Sequence, residues 1–258
     1  MPKIERTYLS FILSISLLMA LFLLAQNWKR QLAVEKVKVY DTRILTGDEV
    51  RSLAEVPIGA PLYALNLMKI ARNVEQSPFV DRAVVVRALP YDLTITVSER
   101  DPIAIVATGS TMLSVDGNGI MLPLPMQRKN NMPVITNVQG QLGVGDTARG
   151  ALMQAVKFIQ DTQAYGPALT ANIAEVRLDG GNLVAYTTAS SLPVIIGTND
   201  FERKLLYLQK FLTDVDNSNA TPNYSYVDLR FNGQIVLGTL SGSLHNQIAM
   251  KGPGGKEN

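Results

Sequence analysis

The chain has 258 residues, 47% hydrophobic and 18% charged, with a net charge of +2 and no cysteine. That composition fits a globular, core-forming chain better than a disordered one, and so small a net charge gives no basis for nucleic-acid binding or for an acidic ligand. The missing cysteines remove disulfides, thiol nucleophiles and zinc–thiolate sites together, and the length allows one or two domains of ~100–200 residues beside any anchor.

Thr7–Ala25, TYLSFILSISLLMALFLLA, carries no charge, no Pro and no Gly. A helix needs ~20 such residues to cross a bilayer, and no later stretch is comparably long and apolar. Lys3 and Arg6 resemble the basic start of a signal peptide. A cut after Ala25 or Ala20, however, puts Leu23 or Leu18 where a small residue is needed. The run also exceeds the ~7–15 residues of a signal peptide's apolar core. The expectation is an uncleaved transmembrane helix at residues 7–25, lying in lipid, after a cytoplasmic tail at 1–6. Flanking charge leaves its orientation open. Lys3 and Arg6 precede the span and Lys29, Arg30, Lys36 and Lys38 follow it, but long domains translocate largely regardless of such charges. Trp28 suits an interfacial position on either side.

Val34–Tyr40 alternates, with Val37 and Val39 on one face and Lys36, Lys38 and Tyr40 on the other, which predicts a half-buried strand. Thr46 with Glu49 three residues on makes a capping box for a helix bearing Val50, Leu53 and Ala54, stopped by Pro57 and Gly59. Asn66 caps a second helix, with Ile70, Ala71 and Val74 on one face, and Ser77-Pro78 ends it. Two strands follow, Val80–Leu89 and Asp92–Glu99, joined by Pro90-Tyr91-Asp92. In the second of these strands Leu93, Ile95 and Val97 share a face.

The order strand, helix, helix, strand, strand resembles a POTRA domain, the small β-α-α-β-β module of membrane-tethered and outer-membrane assembly proteins. The phrase Phe79–Ala104, FVDRAVVVRALPYDLTITVSERDPIA, is similar to the end of that domain in the bacterial cell-division family FtsQ/DivIB. Pro90 stands at the turn, and Glu99, Arg100, Pro102 and Ala104 fill the following pattern. The upstream LYALNL is similar to the family's apolar stretch before the second helix.

Past Pro102 the strands shorten: Ile103–Ala107, Met112–Val115 and Ile120–Leu122, with turns at Asp116-Gly117 and Asn118-Gly119. Val115, Asp116 and Gly119 match the family's VD-x-x-G element, and Met132–Ile135 is similar to its next strand. Gly140–Gly150 reads as a glycine-rich link. Ala151–Tyr165 is a helix, with Leu152, Ala155, Val156 and Ile159 inward. Ile173–Leu178 and Leu183–Thr187 form a hairpin around Asp179-Gly180-Gly181-Asn182. Pro193–Gly197 is a strand, Asp200 caps a helix over Phe201–Leu212, and Asp214–Asn223 reads as a mobile polar loop. Tyr224–Arg230 and Gln234–Leu237 are strands joined by Phe231-Asn232-Gly233. Tyr226–Gly238, YVDLRFNGQIVLG, resembles the family's closing hairpin.

The sequence therefore predicts an α+β protein: one N-terminal transmembrane helix, a juxtamembrane linker at 26–33, and a POTRA domain (β-α-α-β-β) at 34–102. A mixed β domain with two helices follows at 103–240, then a flexible C-terminal tail at 241–258. Residues alone give no catalytic site. The single histidine, His245, falls in the polar tail, and GPGGK at Gly252–Lys256 lacks phosphate-loop spacing. Gly140, Gly143 and Gly145 lack the dinucleotide fingerprint. Asp214, Asp216 and Ser218 open like a calcium loop, but Asn219 and Ser225 stand where Gly and Glu belong. Asn219 and Asn223 are formal glycosylation acceptors, relevant only in a eukaryote. No enzyme, metal, cofactor, nucleic-acid or small-molecule role is expected.

Surface for binding remains. Val227 and Leu229 read as core. If Gln234–Leu237 is the last strand of its sheet, its unpaired backbone groups invite a partner strand. The resemblance implies that FtsB-like and FtsL-like division proteins, with other divisome proteins, dock here. Tyr226, Arg230, Phe231, Gln234, Ile235, Val236 and Leu237 would then be the partner-binding residues. Phe231 replaces the family's usual tyrosine, and Thr198 stands where the family often has an arginine just before its penultimate helix. The implied role is a non-catalytic scaffold, single-pass in the inner membrane at the division septum, with its C-terminal domains outside the cytoplasm, linking early and late division proteins in control of septal wall synthesis. The POTRA likeness by itself admits an alternative, a protein-translocation or outer-membrane assembly module.

Overall fold

The computed structural model describes residues 3–109, 111–125, 132–217, 224–239 and 250–251. The chain forms two compact units, Met1–Arg100 and Asp101–Asn258.

Unit 1 begins with α1 (Lys3–Gln31), a continuous helix. Its described side chains, Tyr8 and Ser10 to Leu24, are all exposed, twelve of them large and hydrophobic. Among the described residues no helix is long and apolar enough to cross a membrane.

After α1 come β1 (Lys36–Tyr40), α2 (Gly47–Ala54), α3 (Leu67–Val74), β2 (Val80–Ala88) and β3 (Asp92–Glu99). This is the β-α-α-β-β order read from the sequence. The sheet runs β1-β3-β2, with β1 parallel to β3 and β2 antiparallel to it. Thr46 accepts from the Glu49 N–H at 3.2 Å and Glu49 returns the bond to the Thr46 N–H at 2.6 Å, so the capping box is complete. The Thr46 N–H and the Thr46 hydroxyl, both donating to the Glu49 carboxylate, hold that carboxyl below the usual carboxylate range. Asn66 caps α3 through the Lys69 N–H at 3.0 Å. Leu93, Ile95 and Val97 lie in the core with Val50, Leu62 and Val74.

The linker expected at 26–33 is not slack throughout. Leu32 is buried, its carbonyl accepting from the Leu62 N–H at 2.7 Å, and Ala33 bridges Pro61. An apolar side chain with a pocket to fill and a strand to pair with docks rather than dangles.

Glu99, which opens the Glu99-Arg100-Asp101-Pro102 phrase, has a structural role. Its buried carboxylate accepts three backbone N–H groups, from Arg43 at 2.8 Å, Ile44 at 2.7 Å and Leu45 at 2.9 Å. It thereby fixes the β1–α2 loop to the end of β3. Glu99→Ala is expected to cost about 1–3 kcal/mol, because those partly buried donors lose a charged acceptor. The signature is a lower denaturant midpoint at constant slope. An unchanged midpoint would show that water replaces the carboxylate at no cost.

Unit 2 holds β4 (Pro102–Ala107), β5 (Met112–Asp116), β6 (Met121–Leu122), β7 (Val134–Thr136), α4 (Gly150–Tyr165), α5 (Pro167–Ala171), β8 (Ile173–Asp179), β9 (Asn182–Thr187), β10 (Pro193–Gly197), α6 (Phe201–Asn217), β11 (Tyr224–Asp228), β12 (Gln234–Thr239) and β13 (Met250–Lys251). One sheet runs β13-β12-β11-β10-β9-β8-β7-β4-β5-β6. Phe158, Ile159, Leu205 and Leu208 of the helices share its core with Val106, Val176, Ile196 and Val227. The hairpin turn at Gly180 and Gly181 has φ of +53° and +85°, the paired positive values that only glycine adopts freely in a tight hairpin.

Four expectations are corrected here. Among the described residues the second domain has three helices, not two, because Gly166-Pro167 restarts the chain as α5 with Pro at its first turn. The glycine-rich stretch is no loose link. Gly145 donates to Met121 at 2.8 Å, Asp146 accepts from Met121 at 2.8 Å, and Thr147 bridges Ile120. Helix α6 continues to Asn217, so Asp214 and Asp216 sit on a helix rather than in a loop. Met250 and Lys251, expected in a flexible tail, pair as a strand. His245, residues 218–223 and the glycines of 252–256 lie outside the described residues.

Candidate partner-binding edge

The candidate site grows from three facts about β10, α6, β11 and β12. First, β11 lies between β10, to which it runs parallel, and β12, to which it runs antiparallel, and Val227 and Leu229 are buried beneath it. Second, Lys204 of α6 is buried and fully bonded. Its Nζ donates to the Ile196 carbonyl at 2.7 Å, the Asn199 carbonyl at 2.7 Å and Asn199 Oδ1 at 3.3 Å. Burial pulls its pKa below the usual lysine range. This lysine ties the end of β10 to the start of α6. Gly197 beside it has φ +79°, and a Cβ there would come 3.2 Å from Arg230 Cγ and 3.4 Å from Lys204 Nζ. Third, Arg203 donates to Asn232 Oδ1 at 2.8 Å and pairs with Asp200, so the first turn of α6 also holds the β11–β12 turn.

Asp228 and Arg230 form the charged part of this corner. The buried Asp228 carboxylate accepts from the Arg230 backbone N–H at 3.0 Å, from Nε at 3.0 Å and 3.1 Å, and from Nη2 at 2.6 Å. Burial pushes the Asp228 carboxyl up, but the bonds and charge of Arg230 outweigh it and hold the pKa below the ordinary aspartate range. A depressed folded-state pKa gives a contribution that is full above the unfolded value. It fades as pH falls through the folded one.

The structure sorts the seven predicted residues into three groups, exposed, half-buried and buried. Phe231 is 51% exposed, and Arg230 and Gln234 are exposed beside it. Tyr226 is 39% exposed and lies over Gly238, where a Cβ would sit 2.3 Å from the tyrosine ring. Val236 is half-buried. Ile235 and Leu237 point into the core and leave only backbone to offer. Arg230 is already engaged by Asp228, which holds its guanidinium in place rather than leaving it free. Thr198 is exposed, and the nearby cation that sequence reasoning passed over is Arg203.

The expectation that β12 ends its sheet is corrected. β13 pairs with it, Lys251 opposite Gln234 and Met250 opposite Ile235. A polar, glycine-containing tail carries no alternation that would announce a two-residue strand. Among the described residues β13 reaches only those first two positions of β12.

Comparison with known proteins follows the same division. A model described as "POTRA domain, FtsQ-type" matches residues 32–100, and one described as "Cell division protein FtsQ/DivIB, C-terminal" matches residues 104–230. The chain belongs to the FtsQ/DivIB family. It is 27% identical over 208 residues to the cell division protein FtsQ of Geotalea daltonii, covering 79% of this chain and 74% of that one. It is 28% identical over 232 residues to FtsQ of Salinibacter ruber, covering 85% of this chain and 88% of that one. A solved structure of the major extracytoplasmic domain of DivIB from Geobacillus stearothermophilus matches at 18% identity and a TM-score of 0.32. It covers 48% of this chain and 99% of that one. The two family models give the fold as a POTRA domain followed by the FtsQ/DivIB C-terminal domain, in a family of bacterial cell-division proteins. The matched region stops at Arg230, so β12 lies just past it.

Proposed function

We propose that the chain is a non-catalytic, single-pass scaffold of the bacterial divisome that binds FtsB-like and FtsL-like partners through β12. It is anchored by residues 7–25, with residues 1–6 in the cytoplasm and both units, bounded as a POTRA domain at 34–102 and a β domain at 103–240, outside it at the septum. The anchor is supported by the uncharged run Thr7–Ala25 and by the exposed apolar side chains of the continuous α1. Non-catalytic scaffolding is supported by membership of a cell-division family.

The observation that carries the binding site is that, among the described residues, β13 covers only Gln234 and Ile235 of β12, a strand flanked by the exposed Phe231 and Arg230. A partner strand gains affinity from backbone bonds along such an edge and specificity from side chains at its rim. It pairs either beyond Ile235 or in place of β13. Phe231 is the aromatic anchor, and Phe231→Ala is expected to weaken partner binding by about 2 kcal/mol. Calorimetry with an FtsB-type segment measures it, and an unchanged affinity would remove Phe231 from the site. The wider assignment is tested by capture from solubilised membranes. Recovery of two small single-span division proteins is expected; recovery of outer-membrane barrels instead would contradict it and favour an assembly module.

A further inference from the structure

The end of unit 1 where the chain arrives from α1 carries an exposed apolar cluster that neither the sheet nor the helices use. Three segments converge there. Val34 exchanges backbone bonds with the 59–62 loop, its N–H donating to Ala60 at 2.9 Å and its carbonyl accepting from Gly59 at 2.8 Å. The Leu62 N–H reaches Leu32, and the Glu35 N–H donates to the Tyr91 carbonyl of the β2–β3 turn at 2.8 Å. Lys36 then pairs with Asp92, so the turn is level with the start of β1. On these segments Leu89 is 65% exposed, Ile58 65%, Tyr63 42% and Tyr91 40%. Arg87 braces the cluster from below, donating to the carbonyls of Leu62 and Leu65 at 2.9 Å each and lying 5.5 Å from the Tyr63 ring centre.

Two features of the chain say what meets this surface. Helix α1, with its exposed apolar side chains, ends at Gln31, and the next residue, Leu32, is already buried in unit 1. No spare chain separates the helix from the domain. The residues around that joint carry Lys29, Arg30 and Lys36 against Glu35 alone, a cationic balance that suits acidic headgroups. Tyrosines with aliphatic neighbours are the side chains that settle at a membrane–water boundary.

We propose that this end of the POTRA unit rests in the interface of the same bilayer that α1 crosses, with Leu89, Tyr91 and Tyr63 reaching into the headgroup layer. The inference rests on the reading of α1 as a membrane span. It adds a second lipid contact that holds the domain at one height and tilt rather than letting it swing about the joint. The sheet axis then points away from the membrane, with Tyr40 and Thr96 at its far end.

The absence of cysteine makes site-directed spin labelling clean. The full chain is placed in bilayers containing acidic lipid, with single labels at Leu89→Cys, Tyr63→Cys, Arg82→Cys and Leu18→Cys. Arg82 is exposed near the other end of β2, roughly 20 Å from Leu89 at strand spacing. Collision with oxygen, which concentrates in lipid, is compared with collision with a water-soluble nickel chelate. The expected oxygen-to-nickel ratio at Leu89 and Tyr63 is several-fold above that at Arg82 and below that at Leu18. A lipid signal at Leu18 with aqueous values at both Leu89 and Tyr63 overturns the interfacial contact and leaves the anchor standing. Low collision with both reagents at Leu89 and Tyr63 means protein covers the patch and also overturns it. An aqueous Leu18 overturns the anchor and the contact together.

Discussion

Val236→Pro abolishes capture of an FtsB-type segment while most of the fold survives. The expectation follows from what a strand edge is made of. Partner addition depends on backbone N–H and C=O groups, so side-chain changes at the exposed positions of β12 are tolerated, whereas Ile235 and Leu237 also serve the core. Proline removes one donor, and its ring obstructs the incoming strand. Val236 is half-buried and stands just past the two positions that β13 covers, so the substitution strikes the stretch a partner would use. Outward-facing groups alternate along an edge. If the Val236 N–H faces β11, Ile235→Pro is the variant that blocks binding. Calorimetry reads the affinity, and circular dichroism with a melt reads the fold. Two folded proline variants that bind normally would show that this strand is not the docking edge. Two unfolded ones would show that β12 behaves as an interior strand.

Ile95→Ala lowers the stability of unit 1 by about 2–5 kcal/mol, the range for deleting buried methyl groups where the surroundings cannot collapse. Ile95 is fully buried on the central strand, between β1 and β2, opposite Val39 on one side and Val85 on the other. Both neighbours are held by backbone pairing, so little can move in to fill the space. Chemical denaturation of the chain reports the loss as a shifted midpoint at constant slope. A change below ~1 kcal/mol would mean that the site relaxes far more than a three-stranded sheet with two helices should allow.

The elements that could be read from sequence are those whose signal is local. Alternation placed Val37, Val39, Leu93, Ile95 and Val97 on the buried face, and the side-chain chemistry of Thr46, Glu49 and Asn66 placed two helix starts. The paired glycines at 180 and 181 placed a hairpin for the same reason. What sequence could not supply was long-range. Gly140–Gly150 looked loose because its partners, Met121 and Ile120, are far along the chain. Residues 214–217 looked like loop because they are polar, yet a helix already begun at Phe201 extends through polar residues cheaply. At the candidate site, the exposed rim was legible in the turn Phe231-Asn232-Gly233. The inward aim of Ile235 and Leu237 required the register with β11. The bracing by Lys204 and Arg203 required knowing that α6 packs beside that turn. β13 carried no pattern at all.

Amide hydrogen exchange across residues 234–239, measured on the full chain with and without an FtsB-type segment, tests most directly whether the β12 edge is the docking site. Edge pairing predicts strong new protection at alternate amides of β12, with Phe231 and its turn slowed and the POTRA unit unchanged. Protection that appears elsewhere while the β12 amides exchange as before would contradict it.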